Sequence, residues 1–207
     1  MTFLTAQDRE RIRRSIEAVE SRTHGEVVTV IAQAADEYRY IPSLWALLLA
    51  YLTSPVGRLL GLELTPGHWD LVQLAAFAAL AALFLLTPLK YRMIPQGVKA
   101  QRASRLAHEQ FVRQGVHLTA RHTGILLFVS VAEHHVEIIA DRGIAERVPA
   151  EHWQRIVDTF SSQVRRGRVA DGFVGAVEAL GALLAEHQDL LAPADNLNEL
   201  PDRLIEL

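Results

Sequence analysis

Along most of this chain apolar residues recur at helical spacing or in short strand-length runs, but between Ser43 and Leu89 they become nearly continuous. Leu71 to Leu86 reads LVQLAAFAALAALFLL, with Gln73 as its only strongly polar side chain. Extended from Trp69 to Leu89, the run is long enough to cross a bilayer, which takes about 20 residues at about 1.5 Å each. A second run, Leu44 to Leu62, is interrupted by Pro55, Gly57 and Arg58. Proline there predicts a kink, and arginine is accommodated near a helix end, where it can snorkel to the interface. The polar stretch ELTPGHWD, Glu63 to Asp70, separates the two as a short turn. The pattern predicts a transmembrane hairpin; the alternative for such runs is a pair of core helices in a larger soluble domain. Tyr40 and Trp45 before the first run, Trp69 at the far turn and Tyr91 at the exit stand where interfacial aromatics are expected.

Outside the hairpin the periodicities alternate. Thr5 and Asp8 form a helix start, followed by Ile12, Ile16 and Val19 at helical spacing, with Gly25 as the stop. Glu26 to Gln33 (EVVTVIAQ) is β-branched at successive positions, which suits a strand covered by helices on both faces. Gly97 to Gln114 is an amphipathic helix with Ala103, Leu106, Ala107 and Phe111 on one face and Lys99, Arg102 and Arg105 nearer the other. Ile125 to Val131 reads as a central buried strand, and Val136 to Ala140 as its hairpin partner across Ala132 to His135. Helices follow at about 150–166, with Trp153, Ile156, Val157, Phe160 and Val164 inward, and at about 170–187, with Phe173, Val177, Leu180 and Leu184 inward. Close packing is the expected reason for some of Gly172, Gly175 and Gly181 within the last helix. From Gln188 the chain is an acidic tail expected to be extended and partly mobile.

This order predicts an α/β fold: an α/β/α sandwich with a small mixed sheet, interrupted by a two-helix transmembrane hairpin. The domain is read as two parts, residues 1–40 and 93–187, flanking the hairpin at 41–92 and followed by the tail at 188–207.

Charge orients the hairpin. Arg39 precedes it and Lys90, Arg92, Lys99, Arg102 and Arg105 follow, whereas the turn from Leu59 to Trp69 carries no lysine or arginine. The positive-inside rule then places both flanks and both termini in the cytoplasm and the turn at 63–70 in the periplasm of a bacterial inner membrane. The opening MTFLTAQDRERIRR lacks the apolar run of a signal peptide. The basic face after the hairpin could rest on anionic headgroups, or be an ordinary solvated face. A formal net charge of −3 gives nucleic acid no footing as a partner. With no cysteine, disulfides, thiolate nucleophiles and thiolate metal sites are excluded.

The soluble segments TxGEVVTV (Thr23, Gly25 to Val30), TGILLFVS (Thr123 to Ser130), VEIIADRGI (Val136 to Ile144) and NELPD (Asn198 to Asp202) resemble the TPM domain family. That family is named for a thylakoid lumen protein, a photosystem II repair factor and a nematode membrane protein. The resemblance implies an α/β/α sandwich whose members are described as acid phosphatases, as calcium-binding proteins or as accessory factors of membrane complexes. This chain differs in carrying its membrane segments inside the domain. It also has Ala140-Asp141-Arg142-Gly143 where many members have a glycine-rich turn.

The familiar enzyme signatures are absent: the sequence has no DxD nucleophile, GK[ST] loop, GxSxG elbow or HExxH pair. Arg121-His122-Thr123-Gly124 is one residue longer than the R-H-G of histidine phosphatases. The candidate site is therefore Asp141 and Arg142, a carboxylate and a guanidinium carried by a strand end into a loop. Thr123 and Gly124 should start the neighbouring strand at the same end, and Asp171 is a third acid that the fold could bring near. Each has a plainer reading, as an ion pair, a turn cap or a helix N-terminal charge. The nine histidines do not organise into a ligand set, and Arg165, Arg166 and Arg168 suit a helix C-terminus as well as a phosphate.

Two functions follow as expectations. In the preferred one the chain is a membrane-anchored module whose cytoplasmic domain docks on a membrane protein or complex. In the other it is a metal-assisted phosphatase acting on phosphomonoesters, with Asp141 holding Ca²⁺ or another divalent cation, as the resemblance implies.

Overall fold

The computed structural model describes residues 4–87, 89–186 and 199–207. The chain separates into two compact units, one formed by residues 1–35 and 101–207 and the other by residues 36–100.

The first unit is built on a four-stranded sheet in the order β3-β2-β1-β4. Strands β1 (Glu26–Ala32) and β2 (Gly124–Ser130) run parallel, with Glu26 opposite Gly124 and Ala32 opposite Ser130. Strand β3 (His135–Ala140) returns antiparallel to β2, placing Ala140 opposite Ile125. Every residue of β1 and β2 is buried. The run of β-branched and apolar residues without alternation has this cause: both faces of the two central strands are covered.

Alternate residues of these strands enter two separate cores. Val27, Ile31, Ile125, Leu127 and Val129 pack with α1 (Ala6–Glu20), α7 (Ala150–Arg165) and α8 (Val169–Ala185). Val28, Val30, Ala32, Leu126 and Phe128 pack on the other side against Ala103 and Ala107 of α5 (Gln96–Arg113). The fold is the expected α/β/α sandwich around a small mixed sheet. Helix α1 starts with a capping box, in which the Thr5 side chain accepts from the Asp8 amide and Asp8 accepts from the Thr5 amide. It ends at Glu20, with Ser21 still in the right-handed helical region, so the stop comes earlier than Gly25. The inward stripe of α8 is as read from its spacing, with Phe173, Val177, Leu180 and Leu184 wholly buried.

The C-terminal segment joins the sheet. Strand β4 (Ile205–Glu206) pairs parallel to β1, with Ile205 opposite Val30, and the Gln33 amide donates to the Leu207 carbonyl at 3.1 Å. A carboxylate cluster holds the start of this segment. The Glu26 side chain accepts from the amides of Glu199 and Leu200, and Glu20 accepts from the Val27 amide at 2.8 Å while bonding Asp202. Glu20 is 5 % exposed. Burial is the largest cause and neighbouring Glu26 and Asp202 add to it, together pushing the Glu20 carboxyl up to about 9. Burial likewise raises Glu26. The part of the expected acidic tail at 187–198, with Asn198 of the NELPD motif, lies outside the described residues.

The second unit is the helical hairpin. Helix α2 (Tyr40–Leu59) runs through Pro55, and α3 (Pro66–Leu86) follows with proline at its first turn. A short helix α4 (Leu89–Met93) comes next. Ala46, Ala50 and Gly57 lie on one face of α2 and are buried. A Cβ at Gly57 would stand 2.0 Å from the Trp69 ring, so the absence of a side chain lets α3 approach. Trp69 is thus 5 % exposed and packed on α2, where its position predicts an interfacial ring. Gln73, the polar residue of the second run, donates to the Tyr51 carbonyl at 3.3 Å, and Arg58 lies in the last turn of α2. The opposite faces carry Leu44, Leu47, Leu71 and Leu74, all exposed.

Two glycines of α8 should respond oppositely to alanine. A Cβ at Gly181 would meet the Val19 side chain at 2.5 Å, whereas at Gly175 nothing lies within 4 Å. Gly181→Ala is expected to destabilise the domain by about 1–3 kcal/mol and Gly175→Ala to stabilise it by about 0.4–1 kcal/mol, read by denaturant unfolding. The same sign for both would contradict this packing of α1 on α8.

The raised Glu20 carboxyl gives a pH signature. An acid whose folded value lies above its ordinary 4.5 adds stability that is complete below about 4.5 and is lost as pH rises toward 9. Glu20→Gln keeps an acceptor for the Val27 amide and removes the ionisation. The variant should therefore match the parent in acid and exceed it progressively from about pH 5 to about pH 8. A difference that stays constant with pH would contradict the assignment.

Candidate functional site

Because β1 and β2 are parallel and β3 is antiparallel to them, one edge of the sheet gathers the starts of β1 and β2 and the end of β3. Thr123, Gly124 and Asp141 meet there, and the Asp141 amide donates to the Gly124 carbonyl at 2.9 Å. The edge is the amino end of the parallel pair, opposite to the carboxyl end where open α/β sheets usually bind ligands.

The residue that organises this edge is His122, which sequence reasoning passed over. It adopts φ 55°, and its Nδ1 lies 3.0 Å from Asp141 Oδ2 while its Nε2 lies 2.7 Å from an Arg142 guanidinium nitrogen. A guanidinium can only donate, so Nε2 must be the unprotonated nitrogen and the ring proton sits on Nδ1, donated to Asp141. The other Asp141 oxygen accepts from the Arg142 amide at 2.7 Å and caps the short helix α6 (Arg142–Ala145). Asp141 and Arg142 are therefore joined through an imidazole and not by a direct guanidinium–carboxylate bond.

A second pair repeats the arrangement one strand further along. Arg121 donates a guanidinium N–H to His24 Nε2 at 2.8 Å, and His24 is 7 % exposed. Backbone packing fixes both pairs to one place. A Cβ at Gly143 would stand 2.4 Å from the His122 carbonyl oxygen and 2.6 Å from that of Arg121, so the Asp141-Arg142-Gly143 corner can press on the Arg121-His122 turn only with glycine there. Arg147 donates to the Gly143 carbonyl from the next turn.

Thr123 and Gly124 serve the frame. Thr123 is buried; its amide donates to Thr119 Oγ1 at 3.0 Å and its carbonyl accepts from the Glu26 amide at 3.1 Å. At Gly124 a Cβ would fall 2.0 Å from the Val116 carbonyl oxygen, where the 3₁₀ turn Val116–Leu118 crosses the strand. Asp171 is placed elsewhere. It lies in the first turn of α8 and pairs with Arg11 of α1 at 2.8 Å, with both side chains about half exposed. The fold brings together Asp141, Arg142, Thr123 and Gly124, and gives Asp171 a separate partner.

These residues do not fit a divalent cation. Both Asp141 oxygens are engaged by N–H donors, and among the described residues no group of three or more His, Asp or Glu is placed to hold a metal. Nor is His122 arranged as a general base, since its lone pair is held by Arg142.

At the carboxyl end of the parallel strands, the buried Glu133 side chain accepts from the Ser130 hydroxyl and from the Ala35 amide at 3.1 Å. This carboxylate ties the end of β2 to the chain leaving β1. Nearby, burial acts to raise Glu137, but hydrogen bonds from His135 and Ser104 hold its carboxyl below the usual range.

The family model described as the TPM domain matches residues 93–183. No curated protein matches the chain at a significant level. Among solved structures, the NMR structure of the BA42 protein from the psychrophilic bacterium Bizionia argentinensis superposes with a TM-score of 0.62 at 18 % identity. It covers 99 % of this chain and 96 % of that one, a likeness of fold. With the sandwich and the matched segment in agreement, the chain carries a TPM domain.

Proposed function

We propose that this protein is a membrane-anchored TPM-domain module, held by its hairpin in a bacterial inner membrane and docking its soluble domain on a membrane protein or complex. The observation that carries the reading is the apolar surface of the hairpin. Helices α2 and α3, 20 and 21 residues long, are each long and apolar enough to cross a membrane. Leucines dominate their large exposed side chains, as far as 87 % exposed at Leu59 and 84 % at Leu86, with Trp45, Tyr51, Val56 and Val72 also exposed. In water such a surface would be an aggregation liability, and in hydrocarbon it is the required one. Lysine and arginine before and after the hairpin, with none in the turn, support a cytoplasmic domain and a periplasmic turn. A docking role suits a domain whose candidate site holds its imidazole and carboxylate in mutual hydrogen bonds, and no observation favours the metal-assisted phosphatase reading over it.

The full chain expressed in a bacterium should remain in the membrane pellet after alkaline carbonate washing. A periplasm-active reporter inserted in the turn at 63–70 should be active while reporters at both termini are not. Release into the carbonate supernatant would overturn the anchor, and an inactive reporter in the turn would overturn the orientation.

A further inference from the structure

The carboxyl end of the parallel strands is where the chain leaves the sheet-bearing unit and returns to it. Strand β1 ends at Ala32, and the amides of Gln33 and Ala35 are held just beyond it by the Leu207 carbonyl and the Glu133 side chain. Helix α5 runs back from the same end: its Ser104 bonds Glu137 on β3, and the Val116 turn that follows it crosses the start of β2 at Gly124. Helix α1 is antiparallel to β1. Its last residue, Glu20, accepts from the Val27 amide at the amino end, whereas Arg9 in its first turn pairs at 2.6 Å with Glu206, which stands opposite Ile31. The start of α1 therefore lies at the carboxyl end, and the loop between α7 and α8 lies there with it. Arg11 bonds Asp171 at 2.8 Å, and Leu4, Asp8 and Arg11 line one small hollow with Gly167 and Arg168.

That loop reads Arg165-Arg166-Gly167-Arg168, and all four residues are exposed. Gly167 turns it at φ 76°, and a Cβ there would meet nothing within 4 Å, so the loop stands clear of the domain. Among the described residues none of its three arginines pairs with a carboxylate. The acids of the adjoining hollow, Asp8 and Asp171, are both engaged by Arg11, which leaves four arginines against two carboxylates. A helix C-terminus favours positive charge, and this accounts for Arg165 and Arg166 at the close of α7. It does not account for Arg168, the N-cap of α8, which makes no side-chain capping bond and sets a positive charge against the amino end of that helix's dipole. A charge placed against local stability points to a partner outside the fold.

We infer that the α7–α8 loop is a contact surface for a bilayer rich in anionic lipid, with Arg165, Arg166 and Arg168 among its headgroups. The inference deepens the membrane-anchored reading and rests on it. On that reading only Asp36 to Arg39 separate Ala35 from helix α2, a reach of at most about 18 Å, so the end of the domain that carries the loop is tethered beside the surface. The cytoplasmic leaflet holds the negative potential that attracts basic segments, and the attraction acts over about 10 Å. The tether supplies the effective concentration that three arginines alone do not. What the loop recognises is a density of negative charge, so lysine serves there as well as arginine.

The experiment uses the full chain in lipid nanodiscs, made of phosphatidylcholine alone or of equal parts phosphatidylcholine and phosphatidylglycerol. The chain has no cysteine, so a single one can be introduced and labelled with a fluorophore: one turn before the loop by Ser162→Cys, or at the amino end of the sheet by Glu146→Cys. A quencher carried on a fraction of the headgroups reads proximity to the bilayer. At position 162, quenching in about 0.05 M salt should be about twofold or more stronger in the phosphatidylglycerol discs, and should fall to the phosphatidylcholine level in about 0.5 M salt. The same fall is expected when all three arginines become Gln, and none when all three become Lys. Position 146 should report no difference between the lipids. Arg168→Ser separates this role from a structural one, since it should weaken the quenching at 162 while raising the thermal midpoint by about 1–3 °C through a restored cap on α8. A chain that does not enter the discs overturns the membrane reading, and this inference with it. A chain that enters them, with quenching at 162 indifferent to lipid charge or to salt, preserved in the Gln variant, or lost in the Lys variant, overturns this inference alone, as does a lowered midpoint in Arg168→Ser.

Discussion

The parallel pairing of β1 with β2 is the constraint from which the rest of the soluble domain follows. Two parallel strands cannot be joined by a tight turn; the chain must cross from the end of one to the start of the other. Here the crossover includes α5, whose Ala103 and Ala107 cover one face of the pair. The hairpin of α2 and α3 lies in the same crossover, between Ala32 and Gly124. The insertion is tolerated because the register of β1 on β2 is set by interactions that do not involve the hairpin. These are seven paired positions, two buried faces and the Glu133 side chain bonded to Ser130 and the Ala35 amide. A long insertion between elements that are already fixed adds little loop-closure entropy.

Covering the central strands on both faces leaves the sheet's polar business to its ends. At the carboxyl end the buried Glu133 is satisfied by a hydroxyl and an amide. At the amino end acids and arginine–imidazole contacts stand side by side. Glu20 and Glu26 secure Glu199, Leu200 and Asp202 beside β1, Glu199 in turn accepts from the Ala120 amide ahead of β2, and the arginine–imidazole contacts run from His24 before β1 to Arg142 after β3. Raising a buried carboxyl to about 9 opposes ionisation, so the latch on the C-terminal segment is held by a neutral acid and backbone amides.

Much of this was legible in the sequence, for identifiable reasons. Strands covered on both faces read as unbroken apolar runs, so EVVTVIA and GILLFVS announced themselves; helices with one buried stripe read at their own period, so Phe173, Val177, Leu180 and Leu184 did too. The hairpin was legible because two long apolar runs separated by a short polar turn read as two long helices folded back on each other. Strand β4 was not, since two residues carry no period and its pairing depends on carboxylates far away in the chain, at Glu20 and Glu26. The corner was half legible: Asp141 and Arg142 could be placed at a strand end, and Thr123 and Gly124 beside them. Nothing in Arg121-His122 showed that its imidazole would turn back on Asp141, 19 residues away. The one usable signal was glycine at 143 after an acid and a base at a strand end, the position where a close backbone approach is required.

The corner also bears on what kind of site a small sheet of this sort can build. A carboxylate bonded directly to Arg142 would give a closed ion pair, stable and uninformative. Interposing His122 makes Asp141 fix the tautomer, the tautomer fix the acceptor, and the acceptor fix the guanidinium, so that position is transmitted along the chain of bonds while positive charge is left at its end. At Arg121 the acceptor is again an imidazole nitrogen, that of His24, held at 7 % exposure beside the start of β1.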